Sequence, residues 1–167
     1  HLNLFSVQMD LSNLSEAESS IKKAIKLDPN SSISHFNLSR IHLELGRDVE
    51  AEASVKKAIA IQPCFPQAYN NLGIILKSLD KPLEAEVSTR KAIELKDDYV
   101  EAYYNLGNIL GEMGWKNESL KSYCRVVVIN PDYAEAHNNL GNVKKSLNKK
   151  DEAIYHYKKA INFKNNN

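Results

Sequence analysis

An asparagine recurs every 34 residues along this chain, and a leucine directly follows each of these asparagines. The asparagines are Asn3, Asn37, Asn71, Asn105 and Asn139. A second phase with the same spacing carries alanines, at Ala17, Ala51, Ala85 and Ala153. A fixed period of this length is typical of proteins that stack copies of one small structural unit. The sequence therefore predicts a helical repeat array.

The period divides the whole chain into one partial repeat and four full repeats. Their ranges are 1–31, 32–65, 66–99, 100–133 and 134–167. The chain begins without methionine, and neither end has the distinct sequence of a capping repeat. We therefore expect a single array over 1–167 that forms part of a longer protein.

Within each repeat, apolar residues fall at helical spacing in two runs that are separated by a turn. In 100–133, Leu106 and Leu110 share one face of a first helix, and a second run follows the turn. The turn holds glycine, aspartate or asparagine in the full repeats, at Gly46, Asp80, Gly114 and Asn148. These residue types tolerate the left-handed backbone at a helix end. The pattern predicts two helices per repeat.

Small residues at fixed phases indicate how the helices pack, because glycine and alanine let two backbones approach closely. In 134–167 the ordered positions are His137, Leu140, Gly141, Ala153, Tyr157 and Ala160. This succession resembles the tetratricopeptide repeat, and the resemblance covers the entire chain. It implies an all-α fold, an α-solenoid of helix-turn-helix repeats that forms a right-handed superhelix.

Composition argues against membrane and nucleic-acid partners. The formal net charge is +1 at pH 7, which provides no strong field for nucleic acid. No apolar run approaches the roughly 20 residues that a membrane-spanning helix needs. Cys64 and Cys124 have no partner at metal-ligand spacing, and a free thiol is typical of a reducing compartment. We expect a cytoplasmic protein.

No arrangement of residues in the sequence points to catalysis. The five histidines lack the spacing of metal ligands, and there is no glycine-rich phosphate loop or nucleophile elbow. His35 and His137 occupy the aromatic packing phase, so a structural role is expected for both. The sequence predicts neither enzymatic activity nor a cofactor.

The asparagines are the positions where a function is to be sought. First helices line the concave surface of tetratricopeptide arrays, so the resemblance implies that the five asparagines form a row along one groove. An amide is both donor and acceptor and can hold the backbone of an extended peptide whatever its side chains. Such a ladder is similar to that in the superhelix of O-linked N-acetylglucosamine transferase. Hydrogen bonds to neighbouring backbone are the alternative. An amide on the groove surface should support no core packing.

Other positions on the first helices change from apolar to polar along the predicted groove. The further candidates for peptide contact are Phe36, Arg40, Leu43, Ile74, Tyr104, Asn108 and Asn142. We predict a non-enzymatic scaffold that binds an extended peptide or partner protein. The alternatives are the substrate-recognition arm of a larger enzyme, such as a glycosyltransferase, and a nucleic-acid-binding helical repeat, which the charge disfavours.

The two ends of the array predict a further property. Apolar residues that a neighbouring repeat would cover are expected to be exposed there, at Leu4, Phe5, Ile161 and Phe163. End-to-end self-association is therefore possible.

Overall fold

A computed structural model of the chain describes residues 14–165. Every regular element in this range is an α-helix. None of these helices is both long and apolar enough to cross a membrane. The chain divides into two compact units, of which the first ends at Leu95 and the second begins at Lys96. The predictions for Asn3, Leu4 and Phe5 concern residues outside the described range.

The described part of the first unit contains five helices. They are α1 Leu14–Leu27, α2 Ser32–Glu44, α3 Asp48–Ile61, α4 Pro66–Ser78 and α5 Pro82–Leu95. Helices α2 and α3 pack as one helix-turn-helix pair, and α4 and α5 pack as the next. Contacts of α3 with α4 join the two pairs.

The described part of the second unit contains four helices. They are α6 Val100–Glu112, α7 Lys116–Ile129, α8 Ala134–Ser146 and α9 Lys150–Asn165. The pairs are α6 with α7 and α8 with α9, and α7 contacts α8. The all-α repeat fold that the sequence predicts is confirmed.

The turn inside each pair contains one residue in the left-handed conformation. These residues and their φ angles are Gly46 at 68°, Asp80 at 56°, Gly114 at 79° and Asn148 at 61°. The backbone N–H of the residue that follows donates to a carbonyl in the last turn of the first helix. Arg47 donates in this way to the carbonyl of His42 at 2.8 Å, and Lys81 donates to that of Leu76 at 2.9 Å. These bonds satisfy carbonyls that the end of a helix would otherwise leave free. The predicted left-handed turns are confirmed.

Glycines on the first helices allow tight packing against the second helix of the same pair. A Cβ atom added to Gly107 would lie 2.6 Å from the ring of Tyr123, and one added to Gly141 would lie 2.5 Å from the ring of Tyr157. Neither position can hold a larger side chain unless the ring moves. The aromatic ring therefore fills the space that the glycine leaves.

The histidines in the aromatic phase are buried and hydrogen-bonded, in agreement with their predicted structural role. His137 is 6% exposed, and its Nε2 lies 3.0 Å from the carbonyl of Pro131. Its Nδ1 lies 3.0 Å from Nδ1 of His156 on α9. With the Nε2–H of His137 donating to the carbonyl, its Nδ1 is the acceptor of a hydrogen bond from His156. Burial lowers the pKa of His156, and the proximity of His137 and Lys144, which disfavours a further positive charge, adds to this decrease.

Acidification should loosen the pair α8–α9. Because the pKa of His156 is lowered in the folded protein, the unfolded chain binds more protons once the pH falls below the ordinary value of about 6.5. The stability that neutral His156 contributes is present above this value and is lost as the pH falls through the folded pKa. We expect the melting temperature, followed by circular dichroism, to fall between about pH 7 and about pH 5.

The variant His156→Phe should reduce this pH dependence, since the ring contact remains while the titrating group is removed. The comparison uses the slope of melting temperature against pH, which a uniform loss of stability leaves unchanged. An equal slope in the variant and the parent would contradict the role of His156.

Candidate functional site

The described ladder asparagines occupy equivalent positions on the first helices. Asn37 is on α2, Asn71 on α4, Asn105 on α6 and Asn139 on α8. Asn71 is buried, whereas the other three are half-buried. Asn3 lies outside the described residues.

In the first unit, the amide nitrogen of Asn71 is held by the preceding repeat. Its Nδ2 donates to Oγ of Ser39 at 2.8 Å, and the Ser39 hydroxyl donates in turn to the carbonyl of Phe36 at 2.7 Å. Asn71 is only 7% exposed. The expectation that a ladder amide supports no packing is therefore wrong for Asn71, because its donor links α4 to α2.

In the second unit, the amide nitrogen of Asn139 is held by a polar network. Its Nδ2 lies 3.2 Å from Oδ1 of Asn108 and 3.3 Å from the hydroxyls of Tyr104 and Tyr123. Tyr123 also donates to Oδ1 of Asn108 at 2.6 Å. Burial raises the pKa of Tyr123 to about 12, so its hydroxyl remains a donor at neutral pH. The network joins α6, α7 and α8.

The carbonyl oxygens of the same two amides, unlike the nitrogens, take no part in these contacts. In the described part of the chain, neither Oδ1 of Asn71 nor that of Asn139 accepts a hydrogen bond. Every buried side-chain nitrogen or oxygen in that part has a partner. An Oδ1 atom without a partner must therefore be accessible. These ladder amides use their donors internally, and their acceptors remain available to a ligand.

The remaining candidates in the first unit form its apolar portion. Phe36 packs on Phe65 with ring centroids 5.0 Å apart. Leu43 and Ile74 are half-buried, and Arg40 is exposed. The structure brings Phe36 next to the ladder, since its carbonyl accepts the hydrogen bond from the serine that holds Asn71.

The remaining candidates in the second unit surround an open cleft. The ring of Tyr104 lies 5.3 Å from that of Tyr133 and 5.9 Å from that of Tyr123, between centroids. Beside Tyr104 is a cleft of about 530 Å³ between α6, α8 and α9, which we call the tyrosine cleft. Its lining includes Tyr104, Glu135, Asn138, Asn139, Tyr157 and Lys164. Asn108 and Asn142 line a second, shallower opening of about 270 Å³ next to Tyr123.

Sequence reasoning missed the second-helix tyrosines that belong to this site, although the repeats contain a signal for them. Tyr123 donates to Asn108, and Tyr157 donates to Asn142 at 2.9 Å. The two tyrosines are 34 residues apart, as are the two asparagines. The repeat with Thr89 at the tyrosine position has isoleucine at the asparagine position. Tyrosine and asparagine thus occur together, as a hydrogen-bonded pair requires.

Several glutamates on the second helices form ion pairs, whereas two glutamates on the first helices near the tyrosines do not. Within α1, α3 and α5 a glutamate pairs with the lysine or arginine four residues later, at Glu18–Lys22, Glu52–Lys56 and Glu86–Arg90, and contacts between repeats add to these pairs. Arg47 lies 3.1 Å from Glu18, and Lys81 lies 3.0 Å from Glu52. Glu101 and Glu135 on the first helices form no ion pair with any described residue.

The described residues contain no group of three or more histidine, cysteine, aspartate or glutamate side chains that could hold a metal ion. Burial raises the pKa of the Cys124 thiol, which keeps it protonated and weakly nucleophilic at neutral pH.

Comparison with solved structures identifies proteins of the same fold. The crystal structure of MamA superposes with a TM-score of 0.85. The match has 26% sequence identity and covers 93% of this chain and 91% of the MamA chain. That of YrrB, described as a TPR protein with an unusual peptide-binding site, is 23% identical, with coverages of 96% and 83% and a TM-score of 0.75. PilF of Pseudomonas aeruginosa is 18% identical, with coverages of 96% and 73% and a TM-score of 0.90.

Comparison at the level of sequence agrees with the fold. No protein of curated function matches the sequence. Four family models, each described as tetratricopeptide repeat, match residues 2–69, 55–87, 100–133 and 134–167. The chain therefore belongs to the tetratricopeptide repeat family.

Proposed function

We propose that this chain is a non-enzymatic scaffold that binds an extended segment of a peptide or partner protein along the first helices of its repeats. The ladder asparagines Asn37, Asn71, Asn105 and Asn139 contact the backbone of the ligand. Side chains beside the ladder select the ligand, apolar ones in the first unit and polar ones in the second. Asn3 belongs to the same row by its place in the sequence.

The orientation of the ladder amides carries the proposal. Nδ2 of Asn71 donates to Ser39, and Nδ2 of Asn139 lies within 3.3 Å of three acceptors that share its two N–H groups. Each amide plane is thereby fixed before a ligand arrives, so little freedom is lost on binding. The accessible Oδ1 atoms are acceptors, and the donors that an extended peptide offers at regular intervals are its backbone N–H groups.

The family and the fold support a binding role. Tetratricopeptide repeats are interaction modules in general, and the peptide-binding site for which YrrB is described occurs on the same fold. The two cysteines are free, which fits residence in a reducing compartment such as the cytoplasm.

Selection of peptides by phage display on the purified chain, followed by calorimetric titration, tests this function. We expect the selected peptides to bind as extended segments. Replacing a ligand N–H that faces a ladder Oδ1 with an N-methyl group should weaken binding about two- to tenfold, because one net hydrogen bond contributes about 0.5–1.5 kcal/mol.

Methylation of the neighbouring amides, which face away from the ladder, is the matched control. An N-methyl scan in which no position weakens binding would contradict backbone recognition. Failure to select any peptide, together with tight binding of random-sequence RNA in a fluorescence titration, would instead favour the nucleic-acid alternative.

A further inference from the structure

The region around the tyrosine cleft is rich in acceptors and in negative charge. A third opening, of about 320 Å³, shares Glu135 and Lys164 with the tyrosine cleft and is also lined by Asp132 and Tyr133. Burial raises the pKa of Tyr133, and the charges of Glu135 and Glu101 add to this increase. Glu135 lines both openings, and Glu101 precedes Tyr104 on α6 by three residues, so the two lie on the same side of that helix. Acids outnumber Lys164, the one cation among the described residues that line these two openings.

The aromatic rings of this region provide a second kind of attraction for a cation. Tyr104 and Tyr133 are half-buried, so part of each ring surface is accessible beside the carboxylates. A cation over the face of a tyrosine ring is attracted by the electrons of the ring. Oδ1 of Asn139, which accepts no hydrogen bond within the described residues, adds a neutral acceptor to the same lining.

We propose that the tyrosine cleft binds a basic side chain, lysine or arginine, of the ligand, between the carboxylates of Glu101 and Glu135 and against the rings of Tyr104 and Tyr133. This assignment rests on the proposed function and adds to it, since the ladder binds the backbone of the ligand and the cleft binds one of its side chains. It also distinguishes the two units: Phe36 and Phe65 supply an apolar surface in the first, and the cleft accepts a charge in the second.

The assignment can be tested without a known ligand by using N-acetylargininamide as a probe. N-acetylcitrullinamide is the matched neutral probe, because it has nearly the same shape without the charge. NMR titration of the tyrosine ring resonances should show saturable shifts at Tyr104 and Tyr133 with the arginine probe and at least about fivefold weaker binding of the citrulline probe. Salt raised from about 0.05 M to about 0.5 M should weaken the arginine complex.

Charge variants of the cleft separate this site from a general attraction of cations. Glu101→Gln combined with Glu135→Gln should weaken binding of the arginine probe about three- to tenfold, whereas Lys164→Gln should strengthen it. Glu118→Gln, on α7 and outside the lining of both openings, removes one acid from the same unit and should leave the affinity unchanged. Equal binding of the two probes, or equal losses in the Glu118 variant and the double variant, would overturn the assignment.

A pair of extended peptides that differ only in a central arginine or citrulline separates this inference from the proposed function. Preference for the arginine peptide, lost in the double glutamine variant, is the expected result. Equal binding of both peptides would overturn the basic-side-chain assignment and leave backbone recognition intact. Binding of the arginine probe in the cleft without binding of either peptide would instead contradict the ladder function and retain the cation site.

Discussion

Replacing Gly107 with alanine should destabilise the second unit by about 1–3 kcal/mol and weaken ligand binding by the same unit. The added Cβ atom would lie 2.6 Å from the Tyr123 ring, so the ring has to move. Its hydroxyl then loses its alignment with Asn108 and Asn139, and the ladder amide loses part of its support. Urea unfolding followed by circular dichroism measures the first effect, and titration with a selected peptide measures the second.

The matched control for this variant lies one turn further along the same helix. A Cβ atom added to Gly111 would meet only Oγ of Ser119, at 3.3 Å. Alanine also favours a helix interior over glycine by about 1 kcal/mol, so Gly111→Ala should remain close to the parent in stability and affinity. Equal behaviour of the two variants would show that the position of the Tyr123 ring has no influence on the site.

The repeat fold could be predicted from the sequence because the same requirements recur at the same phases. A three-residue connection needs a left-handed residue, and the chain supplies Gly46, Asp80, Gly114 and Asn148 at that position. Close helix contact needs small residues, and Ala51, Ala85 and Ala92 are completely buried. Each of these requirements acts within one repeat, so local patterns were sufficient.

The candidate site was less predictable because its contacts cross from one repeat to the next. Asn71 is held by Ser39, which stands where the later repeats have glycine. In the sequence, this serine is only a local departure from the repeat pattern. The structure shows that its hydroxyl accepts the hydrogen bond from the Asn71 amide. Tyr133, in a loop between helices, follows Phe65 and Tyr99 at the same spacing of 34 residues, but the spacing alone does not show that its ring contacts Tyr104.

Changing both Asn71 and Asn139 to alanine should weaken binding of a selected peptide by about 1–3 kcal/mol in total, or roughly 5- to 150-fold. The two residues belong to different units and share no hydrogen-bond partner, so their effects should add. The double variant should also lose stability, because Asn71 is buried and both amide nitrogens form internal hydrogen bonds. Titration therefore has to be done well below the melting temperature, where the variant is fully folded.

The variant Ser39→Ala separates the structural role of a ladder amide from its binding role. It removes the acceptor of the Asn71 donor but leaves Oδ1 of Asn71 in place for the ligand. We expect it to lower the free energy of unfolding by about 1–2 kcal/mol while the affinity changes by less than about threefold, in contrast to Asn71→Ala, which should lower both. If the double asparagine variant lost stability but bound the peptide as tightly as the parent, the amides would serve only to join neighbouring repeats. The ligand would then have to be held by the side chains beside the ladder, Phe36 and Tyr104 among them. The proposal that the asparagines bind the ligand backbone would be wrong.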